Sequence, residues 1–369
     1  MALYAGRSWK RDELVSLIGD PQQIAGARSF RYSDGKADGV HGIGVNTGGG
    51  LQFTVLPGRG MDIPEALFKG KALHFFSGTG ITSPAYFEEP GLGWLRSFYV
   101  GLLTTCGITN SGAPSTDEGE PFGLHGRVAN AAAEDLCIDQ HWDGDEYTVS
   151  LRGKIRESKA MFENLALHRS IETRLGAQSF TLRDVIVNNG FEPQPLMMLY
   201  HFNFGFPLLS PGSHVIGPIL ETVPRDEEAS KDRGVEECMG YPEPVQGYRE
   251  KVFFHTLGSK KSGDTFISLV NPDCGDGTPL GIVLRFNKRE LPVFTQWKMP
   301  RKGFYVTGLE PGTALPLGRG VLRERGELMF LQGQQEYTIS IGVEVIDTEE
   351  QIGALRSEAE KLSADSPKT

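Results

Sequence analysis

From about residue 145 to residue 345 the chain runs as a series of short segments in which apolar and polar residues alternate, bounded by glycine, proline or asparagine. That alternation has the period of a half-buried strand, because successive strand side chains point to opposite faces of a sheet. Residues 146–154, 165–175 and 180–188 read this way, with Gly176-Ala177-Gln178 as the hairpin turn between the last two. Further strands are expected at 196–204, 251–257, 265–270, 281–287, 293–298, 303–309 and 335–345, and an earlier one at 52–56. The 47 glycines and 22 prolines among 369 residues disfavour a helical architecture, since these residues cost about 1 and 3 kcal/mol each inside a helix. Parallel βαβ folds are disfavoured by the missing helices between strands. The expected fold class is all-β, a large antiparallel β-sandwich with a few short peripheral helices.

Helical spacing is confined to the ends. Leu14, Leu17 and Ile18 follow it within residues 9–18, before Gly19-Asp20-Pro21, which makes 1–30 a peripheral helical segment. Thr348 and Gln351 have the spacing of a capping box and open a short helix expected over 348–363. Residues 210–250 show no clear period and are expected to form a long insertion or rim loop. The run Gly42 to Gly50 reads as turns, because no helix pattern follows to make it a phosphate-cradling loop. No repeat or linker divides the chain, so residues 1–369 are expected to form one domain.

Lys and Arg number 37 against 47 Asp and Glu, a net charge of −10 that disfavours nucleic acid as a partner. No apolar stretch approaches the roughly 18 residues that span a bilayer, and the N-terminus lacks the apolar run of a secretory signal. Cys106, Cys137, Cys238 and Cys274 contain no CxxC pair. A cytoplasmic protein with reduced thiols and no membrane partner is expected.

Four stretches place titratable or rigid residues beside glycine where a strand meets a loop: Pro57-Gly58-Arg59-Gly60-Met61-Asp62, Phe122 to Arg127 around His125, Tyr200 to Pro207 around His201 and Asn203, and Thr307 to Thr313 around Glu310. Taken singly each has an ordinary reading, as a surface ion pair, a turn histidine, a core histidine or a solvated carboxylate. Together, in order, they form a more specific pattern. They resemble the aldose 1-epimerase, or galactose mutarotase-like, superfamily, in its bacterial branch of family proteins without assigned function, over residues 51–345. The resemblance implies the mutarotase-like supersandwich, a sugar or sugar derivative as ligand, and no cofactor. It implies His201, in His201-Phe202-Asn203-Phe204, as catalytic acid and Glu310, in Leu309-Glu310-Pro311, as base. Arg59, His125 and Asn203 then bind substrate, joined by Gln296-Trp297-Lys298 just upstream of Glu310 and by His255. Two departures stand out. Where family members carry an Asp that grips sugar hydroxyls, this chain reads Glu250 to His255, and Glu310 is followed by Pro311-Gly312.

The residue set suits anomer interconversion. Ring opening takes a proton from the O1 hydroxyl and gives one to the ring oxygen, and a carboxylate with an imidazolium can do both, each transfer contributing roughly 10² to 10⁴ in rate. Trp297 or Phe204 could stack on a pyranose face. Two other readings share these residues. A divalent metal held by His125, His201, Glu310 and His255 would support isomerase, epimerase or lyase chemistry, and a β-sandwich of this kind could bind sugar without catalysis. Cys106 reads as a small buried residue, and His168, Ser170, Glu172 and Arg174 as the polar face of one strand.

Overall fold

The computed structural model describes residues 1–365. Two large antiparallel sheets face each other, one of eleven strands and one of eight. Five adjacent strands of the larger sheet carry the candidate site: β1 (Leu103–Cys106), β2 (Leu199–Phe204), β3 (Lys251–Leu257), β4 (Val293–Arg301) and β5 (Phe304–Gly312). They lie in the order β3, β4, β5, β2, β1, with Ile219–Pro224 outside β3 and four N-terminal strands continuing beyond β1. Every expected strand is present within a few residues of its expected bounds, and β3 matches at both ends.

Alternation along these strands sends one set of side chains inward. Tyr200, Phe202 and Phe204 of β2 and Leu309 of β5 join the core against Ile171, Leu182, Ile282 and Ile341 of the smaller sheet. Phe204 is therefore a core residue and not a stacking platform. Between the sheets Arg169 binds Asp184 through Nε and Nη2 at 2.9 and 2.7 Å, and Asp62 through Nη1 at 3.1 Å, while the Tyr200 hydroxyl donates to Asp184 at 2.7 Å. All three charges of this clamp are buried. Such a network is costly to desolvate and costlier to break on one side only, so it fixes how the sheets face each other. Burial also raises Asp62 to about 6, against the pull of Arg169.

The outer face of the site strands is covered separately. Trp94, Phe98 and Val100 pack there on Cys106, Leu199 and Val306, with Trp297, Met299 and Phe304 at the edge. Cys106 is buried and its thiol pushed up, as expected of a packing residue.

Three expectations are corrected. Residues 41–46 form a strand, His41–Asn46, where turns were expected; Gly42 lies under the Phe30 ring, and a Cβ there would meet Phe30 Cζ at 2.5 Å. Residues 210–250 include the strands His214–Ile216 and Ile219–Pro224 and a short helix Glu227–Ser230, so only part of that stretch is irregular. The N-terminal helix is only Arg11–Val15. At the other end the capping box forms as expected: the Gln351 amide donates to Thr348 Oγ1 and the Thr348 amide to Gln351 Oε1, both at 3.2 Å. The helix it opens, Glu349–Asp365, buries Ile352, Leu355, Ala359 and Leu362 against the smaller sheet. No helix among the described residues is long and apolar enough to cross a membrane.

Candidate active site

Strand register assembles the site. Phe202 lies opposite Leu309 and Asn203 opposite Gly308, so the next positions back and forward, His201 and Glu310, become neighbours on the outer face. On the same face β4 sets Thr295 beside Glu310 and Trp297 beside Gly308, and β1 sets Thr104 beside His201. His201 Nε2 and Glu310 Oε1 are 3.2 Å apart. This is a close approach and not an aligned hydrogen bond, for Glu310 Oε1 has no hydrogen-bond partner.

The pair is held dry. His201 and Glu310 are 5% and 2% exposed, walled by the rings of Phe98 at 5.5 Å, Trp297 at 5.4 Å and His125 at 5.8 Å from the His201 ring. Burial pushes the Glu310 carboxyl well above the usual carboxylate range, with Glu250 adding to the effect and Arg225 opposing it. Burial also takes His201 down to about 3, helped by His125, which is itself lowered to about 4. Both shifts favour uncharged forms. Burial thus opposes an ion pair between the two.

Buried polar atoms without partners gather around the pair: His201 Nδ1, Asn203 Oδ1 and Thr295 Oγ1 in addition to Glu310 Oε1. A buried polar atom left unpaired costs on the order of 1–3 kcal/mol, and such clusters mark places where a polar ligand or water is accommodated. Asn203 Nδ2 is occupied, donating to the carbonyls of Val100 and His201.

His125 comes from the roof. It has φ 58°, a left-handed backbone stabilised by its neighbour Gly126 at φ 75°. The Gly112 amide donates to His125 Nδ1 at 3.3 Å, which leaves Nε2 to carry the ring proton. His125 packs on Trp94, with ring centroids 4.8 Å apart.

Other expected ligands lie elsewhere. Arg59 is buried with Nε, Nη1 and Nη2 donating to the carbonyls of Ala129, Thr82 and Ser97. It makes no ion pair with Glu310 among the described residues, and its role is to tie together the segments that form the roof. Gln296, Lys298 and His255 are corrected by strand geometry. Side chains at 296 and 298 point opposite to those at 295 and 297, and His255 shares their face. His255 Nε2 meets Gln296 Oε1 at 2.9 Å behind the sheet, and Lys298 Nζ donates to the carbonyls of Glu237 and Gly240. These three cannot share a ligand with the pair.

With His255 on the far side, the four donors named for a metal do not converge. Among the described residues no group of three His, Cys, Asp or Glu side chains is placed to hold a metal ion.

Glu250 and Arg225, beside Trp297, were not named as site residues from sequence. Glu250, just before β3, accepts the Trp297 indole N–H at 2.9 Å and binds Arg225 at 3.1 Å. The signal available for Glu250 was its place in the stretch where the resemblance implies a hydroxyl-binding Asp.

Residues 37–345 match the family described as Domain of unknown function (DUF4432). The chain belongs to that family. No curated protein sequence matches it. Among solved structures, this DUF4432 chain is similar to a Klebsiella pneumoniae protein provisionally described as an aldose 1-epimerase, with a TM-score of 0.87, 26% identity, and 97% and 92% of the two chains covered. It is also similar to a galactose mutarotase-like protein of Clostridium acetobutylicum, at TM-score 0.61 and 14% identity, covering 88% of this chain and all of that one. The galactose 1-epimerase of Lactobacillus acidophilus aligns at TM-score 0.56 and 12% identity with the same coverages. At those identities the last two show the fold alone, and the fold is the mutarotase-like sandwich.

Proposed function

We propose that the protein is a carbohydrate C1 epimerase, interconverting sugar anomers with Glu310 and His201 as the proton-transfer pair. The observation that carries this reading is the 3.2 Å approach of a buried imidazole to a buried carboxyl amid unpaired polar atoms. A packing role would not require two titratable groups, each with an unpaired atom, on a covered sheet face.

The chemistry follows from one shared proton. Sugar hydroxyls hydrogen-bonding to Glu310 stabilise its carboxylate, and the proton crosses to His201. His201 then gives that proton to the ring oxygen while Glu310 takes the O1 proton, the C1–O5 bond breaks and the carbonyl forms. After rotation about C1–C2, Glu310 returns its proton to O1, His201 removes the proton from O5, and the ring closes on the other face. This leaves Glu310 as carboxylate and His201 as imidazolium, and as the sugar departs the proton crosses back to Glu310, so the pair ends as it began. The His125 Nε2–H is a donor for a sugar oxygen, and Trp297, fixed by Glu250, offers its ring to a pyranose face. Because the pair is so little exposed, a sugar reaches it only by displacing part of the aromatic cover.

Saturation-transfer NMR between the anomers of a panel of neutral, acidic and phosphorylated aldoses tests this directly. Acceleration over buffer for at least one sugar is the expected result. No acceleration at high protein concentration for any of them defeats the proposal.

A further inference from the structure

The far side of β3 and β4 holds a second cavity, of about 820 Å³, closed by residues 228–249 and walled in part by Tyr241, Tyr248 and Phe253. Two lysines line it. Lys251 and Lys298 are direct cross-strand partners and so share one face. They are 8% and 4% exposed. Like charges set opposite each other on a sheet repel, and burial adds a desolvation cost to each.

No carboxylate offsets either at close range, although Glu228, Asp232, Glu236 and Glu237 line the same cavity. Among the described residues neither ammonium lies within ion-pair distance of a carboxylate; Glu228 pairs with Lys231 and Arg249, and Glu237 with Arg233. Lys251 donates only to the Lys231 carbonyl, and Lys298 to the carbonyls of Glu237 and Gly240 while resting 4.8 Å from the Tyr241 ring centre. An ammonium has three donors, so three of the six N–H bonds are committed and three remain. Burial pulls Lys298 down to about 8, with Lys251 adding to the effect and Cys238 and Glu237 opposing it.

We propose that this cavity is a binding site for a small metabolite whose phosphate or carboxylate group sits between Lys251 and Lys298. An anion there supplies a counter-charge within ion-pair reach and accepts the free donors in short charge-assisted hydrogen bonds. The cavity has the volume of a small-molecule pocket, with Tyr241 and Phe253 to pack against a carbon skeleton. It is separate from the epimerase site, since β4 presents Trp297 on one face and Lys298 on the other, and it stands whether or not the protein turns over a sugar.

The test is calorimetric titration of the whole protein at low ionic strength with inorganic phosphate, glucose 6-phosphate and glucuronate, with glucose as the neutral control. The expected result is one-to-one binding of at least one anion, weakened about tenfold or more in Lys251→Met and in Lys298→Met, with glucose neither binding there nor competing. Equal affinity for inorganic phosphate identifies the free anion as sufficient, whereas preference for glucose 6-phosphate or glucuronate shows that the wall reads the skeleton. Protection of Lys251 and Lys298 from acetic anhydride by the bound anion, read by mass spectrometry on the unsubstituted protein, gives the same answer if a variant does not fold. No saturable binding of any anion, or binding unchanged by both substitutions and without protection, overturns the site. Anomer exchange measured in parallel on Lys251→Met separates this outcome from failure of the epimerase reading.

Discussion

A methyl group on Gly308 would lie 2.3 Å from Oε1 of Glu310 and 3.0 Å from Cε1 of His201. Gly308 lies on β5 two residues before Glu310, opposite Asn203 of β2 on one side and Trp297 of β4 on the other. The missing side chain is therefore what lets imidazole and carboxyl approach. Gly308→Ala should lower anomer exchange by about 10² or more, since displacing a reacting group by an ångström costs that much. Exchange NMR with a thermal melt checks it, and normal exchange in a folded Ala variant would show that the pair has other room.

Glu310→Gln keeps the shape and removes the acid. Exchange should fall by roughly 10² to 10⁴. Stability should move the other way with pH. The folded carboxyl titrates above its unfolded value, so as pH rises past about 4.3 the unfolded chain releases a proton that the folded one retains, and the native state loses ground. The variant escapes this loss. Its advantage in melting temperature over the wild type should grow from pH 4 to pH 8; a constant difference would mean that Glu310 is ionised in the fold.

His255 gives the opposite sign. Burial lowers it to about 4, so stability is lost as pH falls from about 6.5 toward 4, where the unfolded state takes up a proton and the folded state does not. His255→Gln should be closest to harmful at pH 7 and should gain on the wild type as the solution is acidified. Urea unfolding at pH 7 and pH 5 measures the crossover. Anomer exchange should change little, because His255 lies behind the sheet.

Arg59→Lys distinguishes a scaffold from a ligand. A lysine keeps the charge but cannot serve the carbonyls of Thr82, Ser97 and Ala129 together. Leaving buried carbonyls unpaired costs about 1–3 kcal/mol each, so a drop of several degrees in melting temperature is expected. A raised KM with unchanged stability would return Arg59 to the substrate.

Glu250→Gln removes a negative charge that holds the Glu310 carboxyl up. The acidic limb of the exchange rate should shift to lower pH, and the Trp297 indole should keep a hydrogen-bond acceptor. A pH–rate profile reads the shift; an unmoved limb would place the limiting ionisation elsewhere.

Many strands were legible because alternation survives where one face is buried, as along 146–188 and 336–346. Two strands without it were not read. Leu103–Cys106 is buried throughout, and Ala133–Asp143 is largely open to solvent at the sheet edge. His201, Glu310, His125 and Trp297 meet in space as the local motifs suggested. The motifs did not show which face of a strand each side chain takes. Trp297, Gln296 and Lys298 adjoin in sequence yet serve two compartments, and only the register of β3, β4 and β5 decides which. The surroundings of Arg59 were illegible for a related reason: its type suits sugar hydroxyls and backbone carbonyls equally, and the segments whose carbonyls it meets are distant in sequence.

The strand Glu336–Ile346 pairs on one side with Ser179–Asn188 and on the other with Leu280–Asn287. It lies in the middle of the smaller sheet, and it is the last of that sheet's strands in chain order. Until it arrives the sheet is two separate pieces with two open edges, one long since emerged from the ribosome. Pairings of such sequence separation slow folding and leave edges that can join another chain. Yield in cells should therefore respond to temperature and chaperone supply more than equilibrium stability alone would suggest, with substitutions in 336–346 acting on the rate of folding as well as on the folded state.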